Sequence, residues 1–179
     1  KVLDFLPRYN VEKVDGILAT HHHRDQVQGA YRILAKGAWI GAPEAERALF
    51  EDVKSYWQDP GKRWHLYSFS PNYLLSEPLP VHKGFKDGET FSWGPARITA
   101  VSTPGHTKGS MSYLVEVDGR RFAFCGDLIY DKGKIKEIYS LQKGMGELSD
   151  YHGFMFAWRD VVSSLRKLSE MGAETLIPS

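Results

Sequence analysis

Thr20-His21-His22-His23-Arg24-Asp25-Gln26 lies where the chain changes its periodicity. Before it, Val14-Asp15-Gly16-Ile17-Leu18-Ala19 is an apolar run that fits a buried strand. After it, Asp25 to Lys36 puts Val27, Ala30, Tyr31 and Leu34 at helical spacing, with Gly37 as a stop. In extended backbone, side chains two apart point the same way. His21 and His23 therefore face one side, and Asp25 continues the alternation with a hard oxygen donor. His22 points elsewhere and is expected to pack behind them. Nitrogen and carboxylate donors in this mixture suit zinc, iron or manganese better than calcium. Asp25 followed by Gln28 also resembles a helix-capping box, with Asp in place of Ser or Thr.

Two further residues complete the pattern. His106 sits in Thr103-Pro104-Gly105-His106-Thr107, directly after an expected strand Ala96–Ser102. Asp127 sits in Cys125-Gly126-Asp127, directly after an expected strand Arg120–Cys125. Both are metal-type donors at strand ends, where a sheet can aim them into one place. With His21, His23 and Asp25 they make five candidate ligands in three loops. No GxSxG elbow, P-loop or CxxC supports a rival chemistry.

The rest of the chain frames these loops. Residues 3–10 suggest a short helix, Trp39-Ile40-Gly41 a short strand, and Pro43 the start of a helix with a stripe at Ala45, Leu49, Val53 and Tyr56. An aromatic and Pro-rich insertion follows at about 57–84, with Tyr, Trp or Phe at six of the eighteen positions from Tyr56 to Tyr73. It either buries these rings on its own domain or walls a substrate pocket. Glu89–Trp93 and Ala96–Ser102 flank Gly94-Pro95, and Met111–Val117 and Arg120–Cys125 flank Asp118-Gly119, both hairpin signals. After a Gly- and Lys-rich loop at 131–148, Ser149 is expected to cap a last helix with its stripe at Phe154, Trp158, Val161, Leu165 and Leu168. Gly172 ends it, and a strand begins near Thr175. Helices and hairpins in blocks argue for a mixed α/β sandwich.

Composition excludes other classes. The chain has 179 residues, one domain's worth, with 42% hydrophobic and 25% charged residues. Lys plus Arg number 23 against 22 Asp plus Glu, which gives no electrostatic reason to expect nucleic acid or an anionic membrane. No 18-residue apolar run or signal-peptide pattern is present. The single cysteine, Cys125, forms no internal disulfide and is expected to be a buried packing residue. Both ends read as cut from a longer protein.

The stretches THHHRDQ at 20–26, TPGHTKGS at 103–110 and FCGDLIY at 124–130 together resemble the metallo-β-lactamase superfamily, whose first motif is HxHxDH. The resemblance implies an αββα sandwich, here incomplete at its N- and C-termini, with a metal centre at one edge of two sheets. It implies that His21, His23 and His106 form one metal site, and that Asp127 bridges to a second, to which Asp25 also belongs. Two ions about 3.5–4 Å apart would hold a hydroxide and polarise a carbonyl or phosphoryl oxygen. Gln26 stands where the family has its second-site His, and a neutral amide is a poor zinc ligand. The second ion is therefore expected to be weak, re-ligated or absent, leaving Asp25 to act as catalytic general base. The family's final His would fall beyond Ser179. The implied activity is zinc-dependent hydrolysis of an ester, thioester, lactone or amide in a small-molecule substrate. Two alternatives remain open: a mononuclear iron thiol or persulfide dioxygenase, and a regulatory domain without turnover. Nucleic-acid and membrane partners are not expected. Oligomeric state is open, and so is location, with the cytoplasm favoured.

Overall fold

A computed structural model of the chain describes residues 2–58, 75–130, 133 and 154–179. The N-terminal segment is one α-helical turn, α1 (Val2–Phe5), tightened into a 3-10 turn over Leu6–Tyr9 that carries Pro7 and ends at Asn10 in the left-handed region (φ 54°). β1 (Gly16–Leu18) pairs in parallel with β2 (Trp39–Pro43), and β2 with β3 (Lys83–Phe85). The single helix expected over 25–36 is broken. α2 (Arg24–Val27) and α3 (Tyr31–Leu34) flank a 3-10 turn at Gln28–Ala30, because Val27 leaves helical geometry at φ −122°. Gly37 does stop it, at φ 87° with its N–H donating to Leu34 O.

The segment after Pro43 corrects the expected stripe. A 3-10 turn at Glu44–Glu46 leads into α4 (Arg47–Glu51) and α5 (Val53–Gln58). The buried positions are Glu46, Phe50 and Val53, while Ala45 is exposed and Leu49 only half-buried. The α-helix starts at Arg47, four residues after Pro43, and the inward face runs i, i+4, i+7 from the Glu46 carboxylate. The side chain of Tyr56 lies outside the described residues.

The second sheet is antiparallel except at its last edge. β4 (Thr90–Trp93) and β5 (Ala96–Ser102) form the first hairpin; β6 (Met111–Val117) and β7 (Arg120–Gly126) form the second. Asp118 and Gly119 both take positive φ (49° and 73°), as a two-residue turn of this hand requires. β8 (Thr175–Pro178) joins β7 in parallel, after α6 (Phe154–Glu170). The order is β1-β2-β3 in one sheet and β4-β5-β6-β7-β8 in the other.

Three apolar clusters define the layers. Ala19, Val27, Ile40, Phe50 and Val53 fill the space between the helical segments and the first sheet. Phe85, Ile98, Ala100, Met111 and Tyr113, with Leu18 and Trp39 against them, fill the space between the two sheets. Val101, Leu114, Ala123, Val161 and Leu168 fill the space between the second sheet and α6. The result is the expected α/β class in αββα layering. Leu75, Leu79 and Val81, at the end of the expected insertion, are also buried, and β3 follows them directly. Its residues 59–74, the 134–148 part of the Gly- and Lys-rich loop, Ser149, and the side chains of Phe154 and Trp158 lie outside the described residues.

Candidate metal centre

The first ligand loop is clamped where the two sheets meet. Ala19 N–H donates to Gly41 O on β2 (2.8 Å), Met111 N–H donates to Thr20 O (2.9 Å), and the buried Tyr113 hydroxyl donates to Ala19 O (3.0 Å). His106 occupies the turn after β5, held against α6 by Ser164 Oγ, which donates to Pro104 O (2.7 Å). Asp127 follows β7 through Gly126.

These loops bring His21, His23 and His106 together as three buried imidazoles, with one ring nitrogen of each within 4.8 Å of the others. His23 Nδ1 and His106 Nε2 are 2.8 Å apart. Asp127 Oδ2 lies 3.3 Å from His106 Nε2 and 3.9 Å from His21 Nε2. Two of the outward nitrogens are engaged: His21 Nδ1 with Thr20 Oγ1 at 3.0 Å, and His106 Nδ1 with the Tyr130 hydroxyl at 3.4 Å. Such outer contacts set which ring nitrogen faces a metal. His21 Nε2 then points inward, buried and without a hydrogen-bond partner among the described residues. An orphaned buried nitrogen is costly unless something binds it. Three imidazole nitrogens and one carboxylate oxygen are the donor set of a tetrahedral zinc-type site, so the residues fit such an ion.

Burial pushes the His21 imidazole below its usual pKa, against the opposing pull of Asp127 and Glu46. The neutral ring is the form that binds metal. The sign for stability follows. The unfolded chain protonates this histidine below about pH 6.5, the folded chain only at lower pH. Metal-free protein should therefore hold its stability above that range and lose it as the pH falls below about 6.5. Denaturant melts at pH 7.5 and pH 5.5, on wild type and His21→Asn, check this. The loss should shrink in the variant, and a wild type more stable at pH 5.5 would show His21 charged in the folded state.

Asp25 is not part of the histidine cluster. It is exposed in the first turn of α2, although its charge acts on His21. The capping-box reading fails: His23 is the N-cap, with no side-chain cap bond, and Gln28 Oε1 instead accepts from Ser76. Gln26 takes a role that its letter alone did not suggest. Its Nε2 donates to Asp127 Oδ1 at 3.2 Å, so Oδ2 is the oxygen left near the histidines. Cys125 is buried, its thiol pushed up to about 11 by burial, in keeping with a packing role.

Glu46 is the residue that sequence reasoning missed. His22 is fully buried, and both its backbone N–H (2.7 Å) and its Nδ1 (2.9 Å) meet Glu46 Oε2. Thr107, beside His106, donates its hydroxyl to Glu46 Oε1, and its Oγ1 lies 2.5 Å from Ser110 Oγ. Burial would raise the Glu46 pKa, but His22 and the hydrogen bonds prevail and hold it below the usual carboxylate range. Its spacing to Phe50 and Val53 is that of one helix face, but hydropathy gives a carboxylate no reason to lie on it.

The profile of the metallo-β-lactamase superfamily matches residues 3–179, and the chain belongs to that superfamily. A hydroxyacylglutathione hydrolase of Aeromonas hydrophila is 27% identical over 123 residues, 68% of this chain and 35% of that protein. A subclass B3 metallo-β-lactamase of Bradyrhizobium japonicum shares the fold at a TM-score of 0.68 and 21% identity, over 98% of this chain and 60% of that one. A metallo-β-lactamase of Cronobacter sakazakii, described by its HARLDQ motif, superposes at a TM-score of 0.60 with 18% identity, over 92% of this chain and 56% of that one. Its motif ends in the same Asp-Gln pair as His21–Gln26 here. The chain thus spans only about a third of the hydrolase it resembles in sequence. No helix among the described residues is long and apolar enough to cross a membrane.

Proposed function

We propose that this chain carries the metal centre of a zinc-dependent hydrolase acting on a small acyl substrate, a thioester in the first instance. The observation that carries this reading is the convergence of His21, His23 and His106, one ring nitrogen of each within 4.8 Å of the others, with Asp127 Oδ2 3.3 Å from His106 Nε2 and 3.9 Å from His21 Nε2. Zinc in such a site supplies Lewis acidity and lowers the pKa of water toward about 7. The chain's own residues do the rest. His21, His23 and His106 hold the ion in their neutral forms, with Thr20 and Tyr130 fixing the outer nitrogens of His21 and His106. Gln26 holds Asp127 so that one oxygen faces the ion. Asp25, exposed beside the cluster, is the group assigned to accept a proton, a role worth about 100- to 10,000-fold in rate. Among ester, thioester, lactone and amide, the thioester is favoured by the relatives named hydroxyacylglutathione hydrolases. The two alternatives, an oxygenase and a regulatory domain, are not favoured beside these relatives.

The experiment is zinc analysis with hydrolysis of a panel of acyl thioesters, esters, lactones and amides. One tightly held zinc per chain and thioester turnover are expected; a chain that binds no zinc overturns the reading. Because Gln26 occupies Asp127 Oδ1, a second ion would have to break that hydrogen bond. Wild type should therefore lose any second ion to mild chelation, and Gln26→His should raise second-site affinity. Two equally tight ions in wild type, unchanged in Gln26→His, would show the second site complete without a histidine at 26.

A further inference from the structure

Among the described residues no carboxylate is more deeply buried than Glu46, at 2% exposure, and nothing in the proposed reaction uses it. Its surroundings are polar on both oxygens. Oε2 accepts from the His22 backbone N–H and from His22 Nδ1; Oε1 accepts from the Thr107 hydroxyl. His22 stands between His21 and His23, and Thr107 follows His106. One carboxylate therefore touches the chain neighbours of all three candidate ligands, across loops that leave different sheets. Glu46 is itself seated by the 3-10 turn that follows β2. The backbone of Gly109 lies so close that an added Cβ would stand 2.3 Å from Glu46 Cγ.

We propose that Glu46 is the positioning residue of the metal centre, binding the His21–His23 loop to the His106 turn so that the three imidazoles converge before an ion arrives. The inference rests on the zinc reading above and deepens it. Burying a carboxylate is unfavourable unless its oxygens are satisfied, and here three donors from two loops satisfy them. An apolar residue at this position would leave the buried His22 N–H and Nδ1 without this acceptor. Without the carboxylate, the ion itself must order the two loops, and that ordering subtracts from its affinity.

The test measures zinc affinity by chelator competition, and the cobalt(II) absorption spectrum, for wild type, Glu46→Ala and Glu46→Gln. Glutamine keeps one acceptor for His22 and offers an N–H to the Thr107 oxygen, so it preserves the link without the charge. Glu46→Ala should bind zinc about 10- to 100-fold more weakly and show altered cobalt bands. Glu46→Gln should recover most of the affinity and the wild-type bands. A folded Glu46→Ala with wild-type zinc affinity and cobalt spectrum overturns the proposal. Should Glu46→Ala fail to fold, Thr107→Val removes one arm at constant shape. A loss of zinc affinity of about 10-fold, the low end for such outer contacts, is expected there, and an unchanged affinity overturns the proposal equally. Wild type that binds neither zinc nor cobalt overturns the metal reading itself, a result distinct from either of these.

Discussion

His106→Ala is expected to weaken zinc binding by about two to three powers of ten and to abolish turnover at ambient zinc. Four-donor zinc sites bind with about 10–16 kcal/mol of apparent free energy, so one donor of four carries about 2.5–4 kcal/mol. His106 is also the member closest to its neighbours, 2.8 Å from His23 Nδ1 and 3.3 Å from Asp127 Oδ2, so its loss opens the cluster at its centre. His82 supplies the control. It is exposed, accepts a hydrogen bond from Ile40 N–H, and lies outside the cluster. His82→Ala should therefore retain zinc like wild type. A folded His106→Ala that keeps its zinc through dialysis against a chelator would remove His106 from the ligand set.

Gly126→Ala should lower stability by about 2–5 kcal/mol. The residue sits at φ 53°, a left-handed conformation that costs a residue with a Cβ about 1–2 kcal/mol. The new Cβ would also stand 2.4 Å from Thr20 Oγ1 and 2.9 Å from Thr20 Cβ. Threonine is branched and stiff at χ1 and cannot swing away cheaply, so overpacking adds about 1–3 kcal/mol. For a chain of this length the melting temperature should fall by about 4–20 °C. Zinc affinity should fall too, because Thr20 Oγ1 is the partner of His21 Nδ1. Gly29→Ala, at an exposed glycine with nothing within 4 Å of its would-be Cβ, should leave the melt nearly unchanged. A Gly126→Ala protein that melts with wild type would contradict this account.

The parts of the fold most legible in the sequence are those where one local rule acts alone. Asp118-Gly119 between two alternating runs could only be a tight hairpin, and the strands on both sides pair as expected. Gly37 and Gly172 both end helices at positive φ. The histidine loops were legible because strand alternation aims His21 and His23 together, and because His106 and Asp127 directly follow strands. Legibility failed where two rules competed. The helix after Pro43 was misplaced because its buried stripe opens with Glu46, and a hydropathy pattern cannot register a carboxylate facing inward. The poor-ligand reading of Gln26 leaves out what its amide N–H does, which is to donate to Asp127. That depends on two residues 101 positions apart and has no local signature. β3 is three residues long and, among the described residues, pairs only with β2, too short for alternation to announce it.

His23 and His106, whose ring nitrogens lie 2.8 Å apart, are separated by 83 positions in the chain. An ion coordinated by both would close a loop of that length, as a covalent cross-link does. By the chain-entropy argument a permanent link of this span stabilises the folded state by about 4.5 kcal/mol, chiefly by restricting the unfolded chain. Within these 179 residues Cys125 has no second cysteine to supply such a link. Metal supply would then set how long the chain stays folded, and chelation would raise the share of unfolded chain open to proteolysis.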